Sequence, residues 1–407
     1  MTSDDLFELR LMVEELVCNI CRFAHVAHDK VAPEDICIRQ EVPLAREDAF
    51  ADIHVTVPGV GSYFVEVKLG YTHDRLMESI RRKFSTSCHH FEAAQKLILL
   101  IEPDSGSWPS VQAEIASLLP GHWTLELWDT EILLKKFSEH FGTPPEGIAP
   151  DRLHDLRTVI EQTKARHAFG QDATHDALEA TLLWQFSHWR LRDMFARAGG
   201  RKGGILGSGS YRSAVVVFAD LCGFSGYVRD TPSGRTIQTA LSAFCCKARY
   251  QVINDGGMLY QFLGDAVIGI FGVPDHQPDY AARAFGCARS LLDIANSVSH
   301  DWQRQIDRLQ PVRGAHIGMA FGELQLLPLR PFSRTHFGVI GDAINMAARL
   351  SSAAQSGEIV VSNSLQAQLP LGLRRMLEET EPIEAKNVGR IKAWKYSQAS
   401  EGEKTTL

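Results

Sequence analysis

The amino-acid sequence predicts a mixed chain, a smaller α/β domain followed by a larger α+β domain, and three observations carry that reading. Near the amino terminus two β-forming runs, Ala51–Val57 and Tyr63–Leu69, flank the turn signal Pro58–Ser62. In the second half, apolar strands alternate with helical repeats in the order β-α-β-β-α-β, with further strands appended. A length of 407 residues with 44% apolar content provides material for two or three cored domains.

The first element spans Asp5–His28, where Leu6, Leu9, Val13, Leu16, Val17 and Ile20 recur at helical spacing. Cys18, Cys21, His25 and His28 share this helix. Zinc would require all four groups to converge, and no second pair lies at finger-like spacing, so they read as an ordinary helix face with buried thiols. The hairpin follows. A helix running through His90 to Gln95, an apolar strand Lys96–Ile101, and a last strand and helix across Trp123–Phe137 complete an α/β domain over residues 1–145.

Residues 146–210 read as a connector. The long helical pattern Ala177–Ala198, stopped by Gly199 and Gly200, offers Leu178, Leu182, Trp189, Leu191 and Phe195 either to its own domain or to a second protomer. The run Gly203–Gly209 reads as a flexible hinge. The next domain covers 211–397, with residues 398–407 as a tail. Its elements are a buried strand Ser213–Ala219, a helix Ser233–Asn254, and a hairpin of Met258–Leu263 and Ala266–Phe271 whose turn holds Gly264 and Asp265. A helix through Arg289, a strand Ala315–Phe321, a strand-turn-helix over Thr335–Ala354 and an α/β tail follow, which is the ferredoxin-like pattern.

Composition narrows the function. A formal charge of −7 argues against a dominant nucleic-acid-binding surface. No apolar run approaches the ~20 residues that span a bilayer, and no export leader is recognised at Met1. Eight cysteines, with Cys245 and Cys246 adjacent, fit a reduced compartment, so the expected location is the cytoplasm.

Three segments carry the chemistry: Phe218–Ser225, Leu263–Ala266 and Gly341–Arg349. Asp220 ends a strand and Asp265 caps a hairpin turn, so both can face one mouth and hold two hard cations about 3.5–4 Å apart. The N–H groups of Leu221 to Phe224 lie beside them and can cradle phosphate oxygens. Asn345 and Arg349, four residues apart, share a helix face. Taken singly, a strand-end Asp is a turn residue and a helical Arg is solvated; four such residues in this order make a catalytic set.

These motifs resemble those of the class III nucleotide cyclases, over about Arg212–Tyr396. The resemblance implies that Asp220, Leu221 and Asp265 are metal positions for two divalent cations, Mn²⁺ or Mg²⁺. It implies that a ribose 3′-hydroxyl attacks the α-phosphorus of a nucleoside triphosphate and pyrophosphate leaves. Asn345 would orient the ribose, and Arg349 would meet charge on the transferred phosphoryl. Phe218, Gly223, Phe224 and Lys386 would contact the substrate. It also implies a homodimer with composite sites, metals from one protomer and Asn345 and Arg349 from the other.

One departure redirects the substrate. Adenylate cyclases of this class usually carry Lys three residues before the first Gly-Asp and Asp or Thr three before the second, and guanylate cyclases carry Glu and a small residue such as Cys. Here those positions are Gln261 and Gly338. In this the chain resembles the bacterial pyrimidine cyclases of the Pycsar antiphage system, which implies UTP, or else CTP, as substrate and a separate effector activated by the cyclic product. An adenylate cyclase with an atypical base pocket is the alternative.

In the first domain, Asp52 and Glu66-Val67-Lys68 resemble the Asp…Glu-x-Lys core of restriction-endonuclease-like domains. Strand alternation puts Glu66 and Lys68 on one face, as a metal ligand and its charge partner require. The acidic balance favours a sensor or scaffold over a nuclease. A nuclease or binding module with a silent cyclase fold is the second functional class.

Overall fold

The computed structural model describes residues 3–44, 46, 48–85, 94–102, 108–142, 144–307, 312–329, 336–385 and 389–398. The chain divides into two units, Met1–Thr163 and Lys164–Leu407.

In the first unit α1 (Ser3–His28) precedes three strands, β1 (Cys37–Pro43), β2 (Phe50–Val57) and β3 (Gly61–Val67). Then come α2 (His73–Phe84), β4 (Ala94–Leu100), α3 (Trp108–Ala116), β5 (Thr124–Trp128) and α4 (Thr130–Phe141). Among the described residues these strands form one sheet in the order β1-β2-β3-β4-β5. The first three are antiparallel, and β4 and β5 run parallel to β3. The core is aromatic at its centre, with Phe64 stacked on Trp123 at 5.6 Å and tilted against Phe84 at 5.7 Å. The helix expected to reach Gln95 ends at Phe84. Residues 86–93 lie outside the described residues, and Ala94 already pairs with Ser62 as a strand. The thiols of Cys18 and Cys21 are buried, and burial pushes Cys21 up to about 11.

Helix α5 (Leu153–Phe169) crosses the boundary between the units. In the second unit, α6 (Ala177–Gln185) and α7 (His188–Arg197) replace the single helix that periodicity predicts. The break is at Phe186, which is fully buried, followed by Ser187, whose hydroxyl accepts from the Arg190 N–H and starts a new helix. Both helices pack on their own unit: Leu182, Phe186, Leu191 and Met194 share a core with Val216, Ile268 and Leu324. Arg190 ties α7 down, its buried guanidinium donating to Gly256 O at 2.6 Å, Val273 O at 2.8 Å and Asp275 Oδ1 at 2.8 Å. The expected hinge is corrected as well. Ile205 and Leu206 sit in that same core, because two apolar side chains within the glycine run find a buried face.

The remaining elements are β6 (Gly209–Leu221), α8 (Phe224–Asp230), α9 (Gly234–Asn254), β7 (Met258–Leu263), β8 (Ala266–Phe271), α10 (Tyr280–Ile306), β9 (Ala315–Leu329), β10 (His336–Ile340) and α11 (Asp342–Ala353). They are followed by β11 (Glu358–Ser362), α12 (Asn363–Gln368), α13 (Leu371–Arg374), β12 (Glu378–Glu379), β13 (Ile383–Ala385), β14 (Gly389–Ile391) and β15 (Ala393–Ser397). Among the described residues the main sheet runs β12-β15-β11-β9-β6-β8-β7, with β10 paired to β9. Its centre, β9-β6-β8-β7, is antiparallel throughout and corresponds to strands 4-1-3-2 of a β-α-β-β-α-β unit. Ala214 and Val216 face α6, α7 and α11. The alternate residues face α9 and α10, as Gly269 against Val252 illustrates. Helix α10 extends well past Arg289, and β9 past Phe321.

Candidate active site

Register brings the two carboxylates together. Asp220, one residue before the end of β6, faces Ala266 of β8 on one side and His316 of β9 on the other. Asp265 immediately precedes Ala266 in the β7–β8 turn, which Gly264 closes at φ +64°, a conformation that favours glycine. The two carboxyl groups lie within hydrogen-bonding reach of each other. Burial, and then the charge of Asp220, push Asp265 up to about 6; burial also raises Asp220. Two hard-oxygen donors suit a divalent cation, which would relieve the charge of Asp220 on Asp265.

The loop after β6 departs from the expected phosphate cradle. The Cys222 N–H donates to Gly314 O at 2.9 Å and is therefore already engaged. Gly223 then turns the chain at φ +69° into α8, and Phe224 packs edge-on against Trp302 at 5.8 Å. Phe218 is half-buried against the sheet core.

Helix α11 lies close on β9 because residue 318 is glycine. A Cβ there would stand 2.0 Å from Ala347 O and 2.2 Å from Ser351 N. Ala343, Ala347 and Leu350 form the buried stripe. Asn345 is consequently exposed and Arg349 half-buried, on the side away from that stripe. Among the described residues neither makes a side-chain hydrogen bond or ion pair, and neither is joined to Asp220 or Asp265. The link between α11 and the carboxylates is indirect: Ser351 Oγ lies 3.0 Å from His316 Nδ1, and His316 Nε2 lies 3.7 Å from Asp220 Oδ2.

Residues 206–397 match the family model described as the adenylate and guanylate cyclase catalytic domain. The second unit holds a nucleotide cyclase catalytic domain. Among curated proteins, the uncharacterized protein Rv1319c of Mycobacterium tuberculosis is 29% identical over 175 residues, 41% of this chain and 30% of that protein. The chain thus spans about 30% of the length of the curated relatives it matches. The solved guanylyl cyclase Cya2 is 23% identical at a TM-score of 0.42, covering 47% of this chain and 93% of its own. The adenylyl cyclase CyaB from P. aeruginosa is 19% identical at 0.40, covering 47% and 95%.

Within the cyclase domain, the two expected base-reading positions fall on different strands. Gln261 follows an irregularity in β7 between Leu259 and Gln261, and Gly338 pairs with Leu327 in β10. Tyr260, at that irregularity, reaches β10, where its hydroxyl accepts from the Val339 N–H at 3.3 Å. The mark Tyr260 leaves in the sequence is an aromatic ring next to Gln261. Lys386 lies outside the described residues.

In the first unit the structure brings Asp52, Glu66 and Lys68 together and adds a fourth group, Lys83. Lys83 is on the buried stripe of α2 with Leu76, Met77, Ile80 and Phe84. A lysine at the i, i+3, i+4 spacing of an apolar face is the sequence signal that it needs a buried anion.

Proposed function

We propose that the protein cyclises a pyrimidine nucleoside triphosphate, UTP ahead of CTP, to its 3′,5′-cyclic monophosphate with release of pyrophosphate. In this reading the cytoplasmic product acts on a separate effector in antiphage defence. The carrying observation is the trio of Gln261, Gly338 and the Tyr260 hydroxyl on the Val339 N–H. Gln261 and Gly338 supply neither purine-reading pair. Gly338 contributes no side chain, and a phenol bonded to the adjoining peptide favours the smaller base. A site whose polar groups suit one base disfavours another by leaving those groups unpaired.

Asp220, Leu221 and Asp265 would hold the two divalent cations, Mn²⁺ or Mg²⁺. When bound, such ions polarise the attacking hydroxyl and neutralise triphosphate charge. Asn345 orients the ribose, and Arg349 meets the charge that develops on the transferred phosphorus. Asn345 is exposed and Arg349 half-buried, and among the described residues neither side chain has a hydrogen-bond or ion-pair partner, which supports a homodimer in which they complete the partner's site.

The test is incubation of the full chain with Mn²⁺ and equal ATP, GTP, CTP and UTP, with the cyclic products resolved together. Cyclic UMP is expected to dominate. Conversion of ATP with UTP and CTP untouched would overturn the pyrimidine reading in favour of an atypical adenylate cyclase. Tyr260→Ala is expected to move the ATP-to-UTP rate ratio upward by about 10- to 100-fold, the scale of a specificity contact.

A further inference from the structure

The first unit buries a cluster of two carboxylates and two lysines. Asp52, Glu66, Lys68 and Lys83 are buried, at 8%, 0%, 4% and 6% exposure. Lys83 Nζ lies 2.8 Å from Asp52 Oδ1 and 2.6 Å from Glu66 Oε2, and so bridges the two carboxylates from the end of α2. Lys68 Nζ bridges them from the strand side, 2.5 Å from Asp52 Oδ2 and 2.6 Å from Glu66 Oε2. The remaining lone pairs are met by backbone: the Val67 N–H donates to Asp52 Oδ2 at 2.9 Å and the Asp52 N–H to Glu66 Oε1 at 3.0 Å.

Every carboxylate oxygen therefore has a donor, and two ammonium groups balance two carboxylates. A divalent ion bound by Asp52 and Glu66 would need their oxygens at about 2.0–2.6 Å, in the space Lys83 Nζ occupies, and would give the buried cluster an excess of positive charge. The residues expected to act as metal ligand and charge partner thus do not fit a metal as they stand. We propose that the Lys83 ammonium is a built-in cation that takes the place of a divalent ion between Asp52 and Glu66. The native first unit then binds no metal there and carries no metal-dependent hydrolysis. Loss of Lys83 leaves one net negative charge beside an opened position and creates a site for one ion.

The test uses the full chain with Asp220→Asn and Asp265→Asn, which silences the carboxylate pair of the second unit. Mn²⁺ uptake is followed by loss of the free-ion electron paramagnetic resonance signal. The parent is expected to take up no Mn²⁺. Adding Lys83→Ala, or Lys83→Gln to preserve volume and hydrogen bonding, is expected to give uptake of one ion per chain and a melting temperature that rises with Mn²⁺. Further Glu66→Gln should abolish both effects. Glu66-dependent uptake by the parent would overturn the proposal. So would absence of uptake in both Lys83 variants when folded, or failure of both to fold with Mn²⁺ present, since the ion is expected to replace the ammonium.

Discussion

His316 Nε2 stands 3.7 Å from Asp220 Oδ2 because the two residues face each other across β6 and β9. Burial holds this imidazole below its ordinary value, so near neutral pH it brings no full positive charge. Among the described residues no lysine or arginine pairs with Asp220 or Asp265. The repulsion between the two carboxylates is left for a bound cation to relieve.

Replacing Asp265 with Asn should therefore separate activity from stability. Cation stabilisation of a phosphoryl transition state is worth several kcal/mol, so turnover should fall about 100-fold or more. The metal-free protein should melt no lower than the parent, because the substitution removes a repelling charge. Cyclase assays and thermal melts in EDTA check the two halves.

The pH dependence has a definite sign. Asp265 is pushed up to about 6 in the folded protein, above its unfolded value. Its contribution to stability is thus fully present below the unfolded value of about 4 and is lost as pH rises through about 6. Melting in EDTA should show this loss. Saturating Mn²⁺ should cancel it at pH 7 and act weakly at pH 5, where protons compete for the pair.

Gly318→Ala tests the seat of α11. The added methyl would meet Ala347 O and Ser351 N on the helix backbone, which cannot move aside as a side chain can. A loss of about 1–3 kcal/mol in denaturant melts is expected, typical of overpacking. The rate should fall as well, since α11 carries Asn345 and Arg349.

Mixing Asp220→Asn protein with Arg349→Ala protein should restore activity that neither has alone. Each heterodimer would hold one intact composite site. Verified heterodimers that stay inactive would remove the support for a shared site.

The elements that carry the candidate site were legible because each has its own local signal. The Gly264-Asp265 turn between two apolar runs fixes a hairpin, and the spacing of Ala343, Ala347 and Leu350 fixes the face that Asn345 and Arg349 avoid. What was not legible depended on tertiary partners. The chain breaks at Phe186 because a buried ring and a Ser187 cap outweigh continuous helical periodicity. Ile205 and Leu206 are ordered by a core that lies elsewhere in the sequence. Tyr260 acts across strands and Lys83 between strand and helix; the helical spacing of Lys83 announces a need for a buried anion, but not that Asp52 and Glu66 supply it. Cys222, read as a phosphate donor, is claimed by Gly314 through a pairing that composition does not reveal.

Helices α6 and α7 complete the floor of the second unit's sheet, which governs how that domain can be recombined with other proteins. A transplant cut at residue 211 would arrive with Val216, Ile268 and Leu324 stripped of Leu182, Phe186 and Leu191, and would aggregate through that oily face. A transplant that begins at Lys164 carries its own cover. The glycine run, which from composition looks like the natural place to cut, is therefore the costly one.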